Sequence, residues 1–357
     1  MASIYDVAKQ AGVAPKTVAR ALNGDAPVKA ETRAKIAAAV KSLGYVPSQA
    51  ARSMRSNKSG LVGLITGAIS GTPEDMATAG LPDIYIVQGV QRVLMQSDVT
   101  LLISDTGGRP GQVPALLRTF QEHRVEGLIY VATHHQQVAL PDTLGDLPVV
   151  LVNCFDDRGT PAVVPDDRDG QRALVARLIA FGHRRIGYLT LPQDMVAHKL
   201  RLAGYKRALA DAGLAYDPAL VAQGDVGGGE RETAVLAGAI DRLFALKSCP
   251  SVLCCGNDRL AMKVYGMLRA RGRRVPDDVG VAGYDDYQMI SQALFPPLTT
   301  AELPYGAMGV RAAQELLSLI KGGKPESAPK AIKVGGAVKW RQSVLSLEAK
   351  VKTLKGT

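Results

Sequence analysis

Pro15, Lys16, Thr17 and Arg20 fall within six residues of one another, and their chemistry is that of nucleic-acid contact. Lysine and arginine neutralise phosphates, and an arginine fork can also bond a guanine edge. Val18 and Leu22, four apart, supply the inward face of the short helix that would present them. Pro15 suits its first turn, where no N–H is needed. Upstream, Ile4, Val7, Ala8 and Ala11 follow an i, i+3, i+4, i+7 pattern, which predicts a first helix that Gly12 ends by taking positive φ. Two short helices joined at a glycine turn form a helix-turn-helix, whose second helix fits a major groove. A helical hairpin in a core is the plain alternative, and Lys and Arg clustered at the exposed start of the second helix argue against it.

The charge distribution points the same way. The chain has 357 residues and a formal net charge of +10. Residues 1–58 hold ten Lys/Arg against three acids, and Lys350, Lys352 and Lys355 add three cations at the end, which leaves residues 59–349 neutral. A basic head on a neutral body reads as a nucleic-acid module joined to something else. The length suits two or three domains, and 46% hydrophobic residues allow ordinary buried cores. No apolar run approaches the roughly 18 residues of a membrane span. The start of the chain lacks a charged segment followed by an apolar one, so no signal peptide is expected. Cys154, Cys249, Cys254 and Cys255 lie in apolar, strand-like runs without metal-ligand spacing. Reduced core thiols and a cytoplasmic protein are the expectation.

Other chemical signals fail. Gly227, Gly228 and Gly229 lack a Walker or dinucleotide pattern. His134 and His135 are adjacent, so on a regular strand they would face opposite sides, which is poor geometry for a metal. There is no Gly-x-Ser-x-Gly and no pair of acids with a defensible catalytic role. No catalytic residue, cofactor or metal is expected.

The elements that must carry these residues follow from periodicity. Val28, Thr32, Ile36, Ala39 and Leu43 keep helical spacing up to a Gly44 cap, completing a headpiece over residues 1–47. Residues 48–59 read as a hinge. Strand-like runs at 61–66, 100–105, 127–132 and 149–153 then alternate with helical stretches such as 84–95 and 113–123. A second series has strands at 162–165, 186–191, 221–224, 251–256 and 279–284, with helices near 170–181, 199–212, 230–246 and 258–271. This alternation predicts parallel βαβ units in two similar lobes with a cleft between them. Ligands of such sheets sit beyond the carboxyl ends of the strands. Gly67 to Pro82 is a long loop at one such end, with the length to fold over the cleft.

Several strings resemble the LacI/GalR transcription regulators: Ile4-Tyr5-Asp6-Val7-Ala8, Ala11-Gly12-Val13, Thr17-Val18, Arg20, Leu22-Asn23, Val28, Thr32-Arg33, Ile36, Leu43-Gly44-Tyr45-Val46-Pro47 and Ala51-Arg52-Ser53-Met54. Later matches extend the resemblance to about Ser343. It implies a small all-α helix-turn-helix headpiece followed by an α/β two-lobed, periplasmic-binding-protein-like domain of doubly wound parallel sheets. In that fold the chain crosses between lobes three times. This places about 60–159 plus 297–324 in one lobe and 160–296 plus 325–345 in the other, ahead of a basic tail at 346–357. The implied protein is a sequence-specific DNA-binding regulator, a repressor by expectation. It would act as a homodimer on a pseudo-palindromic double-stranded DNA operator, under a small effector that is a sugar or a derivative of one.

Carried over position by position, the resemblance puts DNA contacts on Pro15, Lys16, Thr17, Arg20 and Asn23. Met54 matches an apolar wedge that hinge helices insert into the minor groove, and Arg55 the residue beside it; such a wedge unstacks a base step and bends the duplex. Arg201 in His198–Tyr205, Asn257 in Gly256–Ala261 and Asp285 in Gly283–Asp286 match effector-contacting positions. Their mixture of donors and acceptors suits a neutral polyol, although each alone could be a helix cap or a surface ion pair. Asn153, Val226 and Tyr305 are further candidates; Tyr305 would either stack on a sugar face or fill the core. The sequence departs from the family at Ala14, Ala19 and Lys29, where serines are usual. Replacing a serine cap by alanine costs about 0.5–2 kcal/mol. Pro15 can offer a base only apolar contact, for instance with a thymine methyl.

Two rival functions remain. A periplasmic-type sugar-binding protein is opposed by the basic head, and an enzyme of doubly wound fold by the absence of a catalytic set. Val344, Leu347, Val351 and Leu354 are spaced 3, 4 and 3 apart, a coiled-coil rhythm. The run covers only about two heptads, short of a convincing length, and three lysines would repel across a bundle, so a dimer without a tetramer is expected.

Overall fold

The computed structural model describes residues 2–23, 27–46, 58–67, 83–226, 230–323 and 331–347. The chain forms two compact units, Met1–Gly60 and Leu61–Thr357. In the first, α1 (Ile4–Ala11), α2 (Pro15–Asn23) and α3 (Ala30–Leu43) enclose a small core of Val7, Ala8, Ala11, Val18, Ile36 and Ala39. A capping box starts α1: Ser3 Oγ accepts the Asp6 N–H at 3.3 Å while the Asp6 carboxylate accepts the Ser3 N–H at 2.8 Å. Gly12, at φ 65°, ends it and turns the chain toward α2. Leu22, expected to face inward, is 36% exposed, so α2 is anchored by the buried Val18, with Ala21 packed against the same core. At the start of α3, Lys29 makes no side-chain capping bond.

The second unit alternates strand and helix. Its first series is β1 (Leu61–Thr66), α4 (Asp83–Leu94), β2 (Thr100–Asp105), α5 (Val113–Glu122), β3 (Gly127–Gln137), β4 (Val149–Phe155) and β5 (Ala162–Pro165). The second is α6 (Asp167–Ala180), β6 (Ile186–Thr190), α7 (Val196–Asp211), β7 (Val221–Gln223), α8 (Glu230–Phe244), β8 (Val252–Cys255), α9 (Asp258–Ala270), β9 (Gly280–Asp285), α10 (Gln288–Ser291) and β10 (Thr299–Glu302). The described chain then adds α11 (Tyr305–Ile320), β11 (Ile332–Val334) and β12 (Val338–Lys339). One sheet runs β11-β5-β4-β3-β1-β2 and the other β12-β10-β9-β8-β6-β7. Among the described residues, every pairing is parallel except β10 with β12. Buried apolar side chains fill the inner strands on both faces, as parallel sheets covered by helices require, whereas the edge strands β2, β11 and β12 are only partly covered.

Lobe membership differs from expectation at each crossing. β5 pairs with β4, Leu151 beside Ala162, so the first lobe runs to Pro165 instead of 159. β10 pairs with β9, which keeps 299–302 in the second lobe, where a return to the first had been expected from 297. Of the last two strands, β12 joins the second sheet but β11 pairs with β5 in the first. A strand of three or four residues is placed by the neighbour it can bond, which its own side chains do not announce. α11 does return to the first lobe. It crosses α4 where Gly89 and Gly309 let the backbones meet, since a Cβ on either would collide with a facing carbonyl.

The carboxyl end of β3 is irregular. It is in register with β4 up to Val131–Val152 and again from Gln136–Cys154, so residues 132–135 stand opposite Asn153 alone. An insertion of this kind bends the strand and re-aims its side chains. Cys154, Cys254 and Cys255 are buried thiols, whereas Cys249 is exposed, contrary to the expected core position. Among the described residues, no helix is long and apolar enough to cross a membrane, and no group of three His, Cys, Asp or Glu could hold a metal ion.

Candidate functional site

In the headpiece, Lys16 and Arg20 are exposed one helical turn apart on α2, with Pro15 and Thr17 half-buried beside them. The Ala14 carbonyl accepts the N–H groups of Thr17 and Val18 at 2.8 and 3.2 Å, opening the helix without help from a capping side chain. Two exposed cations one turn apart on the second helix, on a three-helix scaffold, make a surface suited to phosphates and base edges. Asn23 closes α2, but its side chain lies outside the described residues, as do Met54 and Arg55 and residues 48–57 of the hinge.

The second unit gathers its charged groups at the carboxyl ends of the strands. Arg201 on α7 is only 3% exposed. Its Nε donates to Asp167 Oδ1 at 2.7 Å, its Nη1 to the Gly256 carbonyl, and its Nη2 to Asp285 Oδ1 at 3.5 Å. The guanidinium carbon lies 3.7 Å from the centre of the Tyr284 ring, a cation–π contact. Asp167, the first residue of α6, is fully buried, and its second oxygen meets His135 Nδ1 at 2.8 Å. Burial alone would raise the Asp167 pKa, but the Arg201 charge and the His135 bond outweigh it and hold the carboxyl below its ordinary 3.8. Asp285 ends β9 at φ 118°. Burial, helped by the charge of Asp167, outweighs the pull of Arg201 there and pushes its carboxyl up to about 7. Asp258 is also pushed well above the usual carboxylate range, chiefly by burial and then by the charge of Asp285.

The expected site residues are therefore drawn together unequally. Arg201 and Asp285 are in direct contact, and Arg201 reaches the segment of Asn257 through Gly256. Asn257 itself caps α9, its Oδ1 accepting the Leu260 N–H at 2.7 Å. Tyr305, 9% exposed at the start of α11, shares a cavity of about 240 Å³ with Asp285, Tyr85, Gln88 and Arg92. Asn153 is 2% exposed in left-handed backbone at φ 59°, and its Nδ2 donates to the Ala132 carbonyl at 3.2 Å. Its Oδ1 is buried and meets no hydrogen-bond partner among the described residues. Of the loop from Gly67 to Pro82, only Gly67 is described.

Asp167 and His135 were not foreseen. Asp167 had a legible signal, because Asp166-Asp167-Arg168-Asp169 reads as a helix start. The helix does begin there, three residues before Gly170, with Asp166 Oδ1 accepting the Asp169 N–H. His135 had none, since its position depends on the irregular pairing with β4.

Residues 3–48 match the bacterial regulatory proteins of the lacI family, and residues 175–344 match a periplasmic binding protein-like domain. The chain is 32% identical to the sucrose operon repressor of Escherichia coli over 343 residues, covering 92% of this chain and 97% of that one. It is similar to the solved complex of the transcriptional regulator CelR with cellobiose, at 29% identity, with a TM-score of 0.64 and coverage of 96% and 100%. It is also similar to the lac repressor dimer bound to operator and the anti-inducer ONPF, at 26% identity, with a TM-score of 0.73 and coverage of 96% and 99%.

Proposed function

The chain belongs to the LacI family of bacterial regulatory proteins, and on that premise we propose that it binds a pseudo-palindromic operator as a homodimer, controlled by a small sugar or sugar derivative in the cleft between its lobes. It is a DNA-binding transcriptional regulator whose relatives are repressors, not enzymes. This reading places the protein in the cytoplasm, where its operator is. Lys16 and Arg20 read bases in the major groove, Pro15 adds apolar contact, Thr17 and Asn23 help fix the register, and Met54 with Arg55 reaches the minor groove at the dyad.

The observation that carries the effector assignment is the unequal grip on Arg201. Asp167 holds the guanidinium at 2.7 Å, while Asp285, which shares its cavity with Tyr305, stands off at 3.5 Å. A hydroxyl can donate to Asp285 and accept from Arg201 at once, which suits a polyol better than an anion that Asp285 would repel. Asn153 and Asn257 offer amides at the ends of their strands, and the Tyr305 ring an apolar face. Sucrose and cellobiose, in the names of two similar proteins, point to the same ligand class. Control follows if the sugar binds one lobe arrangement more tightly than the other, because only differential affinity can shift the equilibrium.

A labelled duplex from upstream of the protein's own gene tests both parts. A shift much tighter than with a scrambled duplex at matched salt, altered by one member of a panel of mono- and disaccharides, is expected. Equal affinity for both duplexes, or a response only to sugar phosphates, would overturn the corresponding part.

A further inference from the structure

His135 lies in the first lobe, on the irregular end of β3, whereas Asp167 and Arg201 belong to helices packed on the second sheet. The 2.8 Å contact between His135 Nδ1 and Asp167 Oδ2 is therefore a bond between lobes. Asp167 is held ionised by Arg201, so it can only accept, and the ring nitrogen that faces it must carry the proton. The chain of contacts then runs from His135 through both oxygens of Asp167 to Arg201, and on to Asp285. His135 is 7% exposed, with its ring edge-on to Phe155 at 5.8 Å, so it has little freedom to turn away.

We propose that His135 is a positioning residue that clasps the lobes together and, through Asp167, sets the effector-facing guanidinium of Arg201 only when the lobes adopt this arrangement. A buried charge pair is a poor general adhesive but a selective one, because it is satisfied in a single geometry. Rotation of the lobes parts His135 from Asp167 and leaves one carboxylate oxygen without its partner. The first lobe thus acts on the second through a named hydrogen bond, in addition to whatever the effector itself touches.

The clasp needs neither effector nor DNA, so it is tested on the free full-length protein, and its failure would leave the regulator reading standing. Cys249, exposed before β8, and a Glu122→Cys label at the end of α5 mark sites far from the cleft in the two lobes. Electron–electron distance measurement between them, in dimers diluted with unlabelled chain, reads lobe rotation. His135→Phe keeps a ring but loses the donor, His135→Asn keeps a donor near the Nδ1 position, and His135→Gln carries its donor too far. Wild type and His135→Asn are expected to share one distance distribution, and His135→Phe and His135→Gln to gain a second population. In the same two variants the Arg201 Nε–H, followed by nitrogen-15 spectroscopy, should shift and exchange faster. If His135→Phe unfolds, His135→Gln carries the comparison. Wild-type distributions and Arg201 signals in the donor-less or misplaced-donor variants would overturn the proposal, as would His135→Asn failing to restore them.

Discussion

Asp285 Oδ1 stands 3.5 Å from Arg201 Nη2, while Asp167 Oδ1 holds the same guanidinium at 2.7 Å. The inner carboxylate is fully buried and held ionised; the outer one keeps some exposure and is pushed up to about 7. One arginine thus separates two carboxyl groups into a structural anchor and a cleft-facing acid that changes charge near neutral pH. A hydroxyl placed between Arg201 and Asp285 would exchange one stretched contact for two ordinary hydrogen bonds.

Removing the outer acid should change how stability depends on pH. A folded-state pKa raised from 3.8 to about 7 means that the native protein binds the extra proton between those values, so Asp285 erodes stability as pH rises through that window. Asp285→Asn lacks the titration. Its melting temperature relative to wild type should climb between about pH 4 and pH 7 and then level off. A difference independent of pH would show that Asp285 has an ordinary pKa.

Removing the arginine should be costly for the fold as well as for the ligand. Arg201→Ala leaves Asp167 buried opposite His135 alone, either charged without its main partner or forced to take up a proton, and breaking a buried pair this way costs about 3–5 kcal/mol. Urea unfolding should show that loss. A midpoint within error of wild type would mean that Asp167 is neutral or hydrated in the folded protein.

In the headpiece, Arg20 is exposed and outside the core built on Val18, so its removal should spare folding. A bidentate base contact is worth about 1–3 kcal/mol of discrimination. Arg20→Ala should therefore weaken operator binding by roughly tenfold or more at matched salt, with sugar binding unchanged. Unaltered operator affinity would remove Arg20 from the reading surface.

Periodicity and the Gly12 break made the headpiece legible, because a three-helix unit is built from local spacing. It failed at Leu22, near the end of a nine-residue helix, where the phase predicts a side but the described neighbours leave the side chain 36% exposed. The βαβ alternation was legible for the same local reason, whereas the sheets to which β5, β10 and β11 belong depend on which strand, distant in sequence for β11, each one pairs with. Arg201 and Asp285 were found by resemblance, since nothing in their spacing, 84 residues apart, joins them. His135 and Asp167 meet through a strand irregularity and a lobe crossing, neither of which leaves a mark on sequence period.

Val344 shows how a rhythm can mislead. It opens the apparent heptad of the tail yet is 4% exposed within the core, next to the Ser343 that bonds Thr299 and Val281. Leu347 follows with its N–H on the Phe181 carbonyl. Val351 and Leu354 lie outside the described residues. A chain ending after Leu347 should sediment as the same dimer as the full-length protein. A full-length tetramer that falls to a dimer on this truncation would make the tail an assembly helix.

Control by an effector requires that the cleft be coupled to the headpiece. Operator affinity should be measured by fluorescence anisotropy at fixed salt, with and without the sugar that raises the melting temperature of the wild-type protein, for wild type and for Asp285→Ala. Wild-type affinity should change by about 5–150-fold, the usual range of such coupling, and Asp285→Ala should bind operator normally but not respond at the same sugar concentration. An Asp285→Ala protein that responds like wild type would place the effector somewhere other than this cleft.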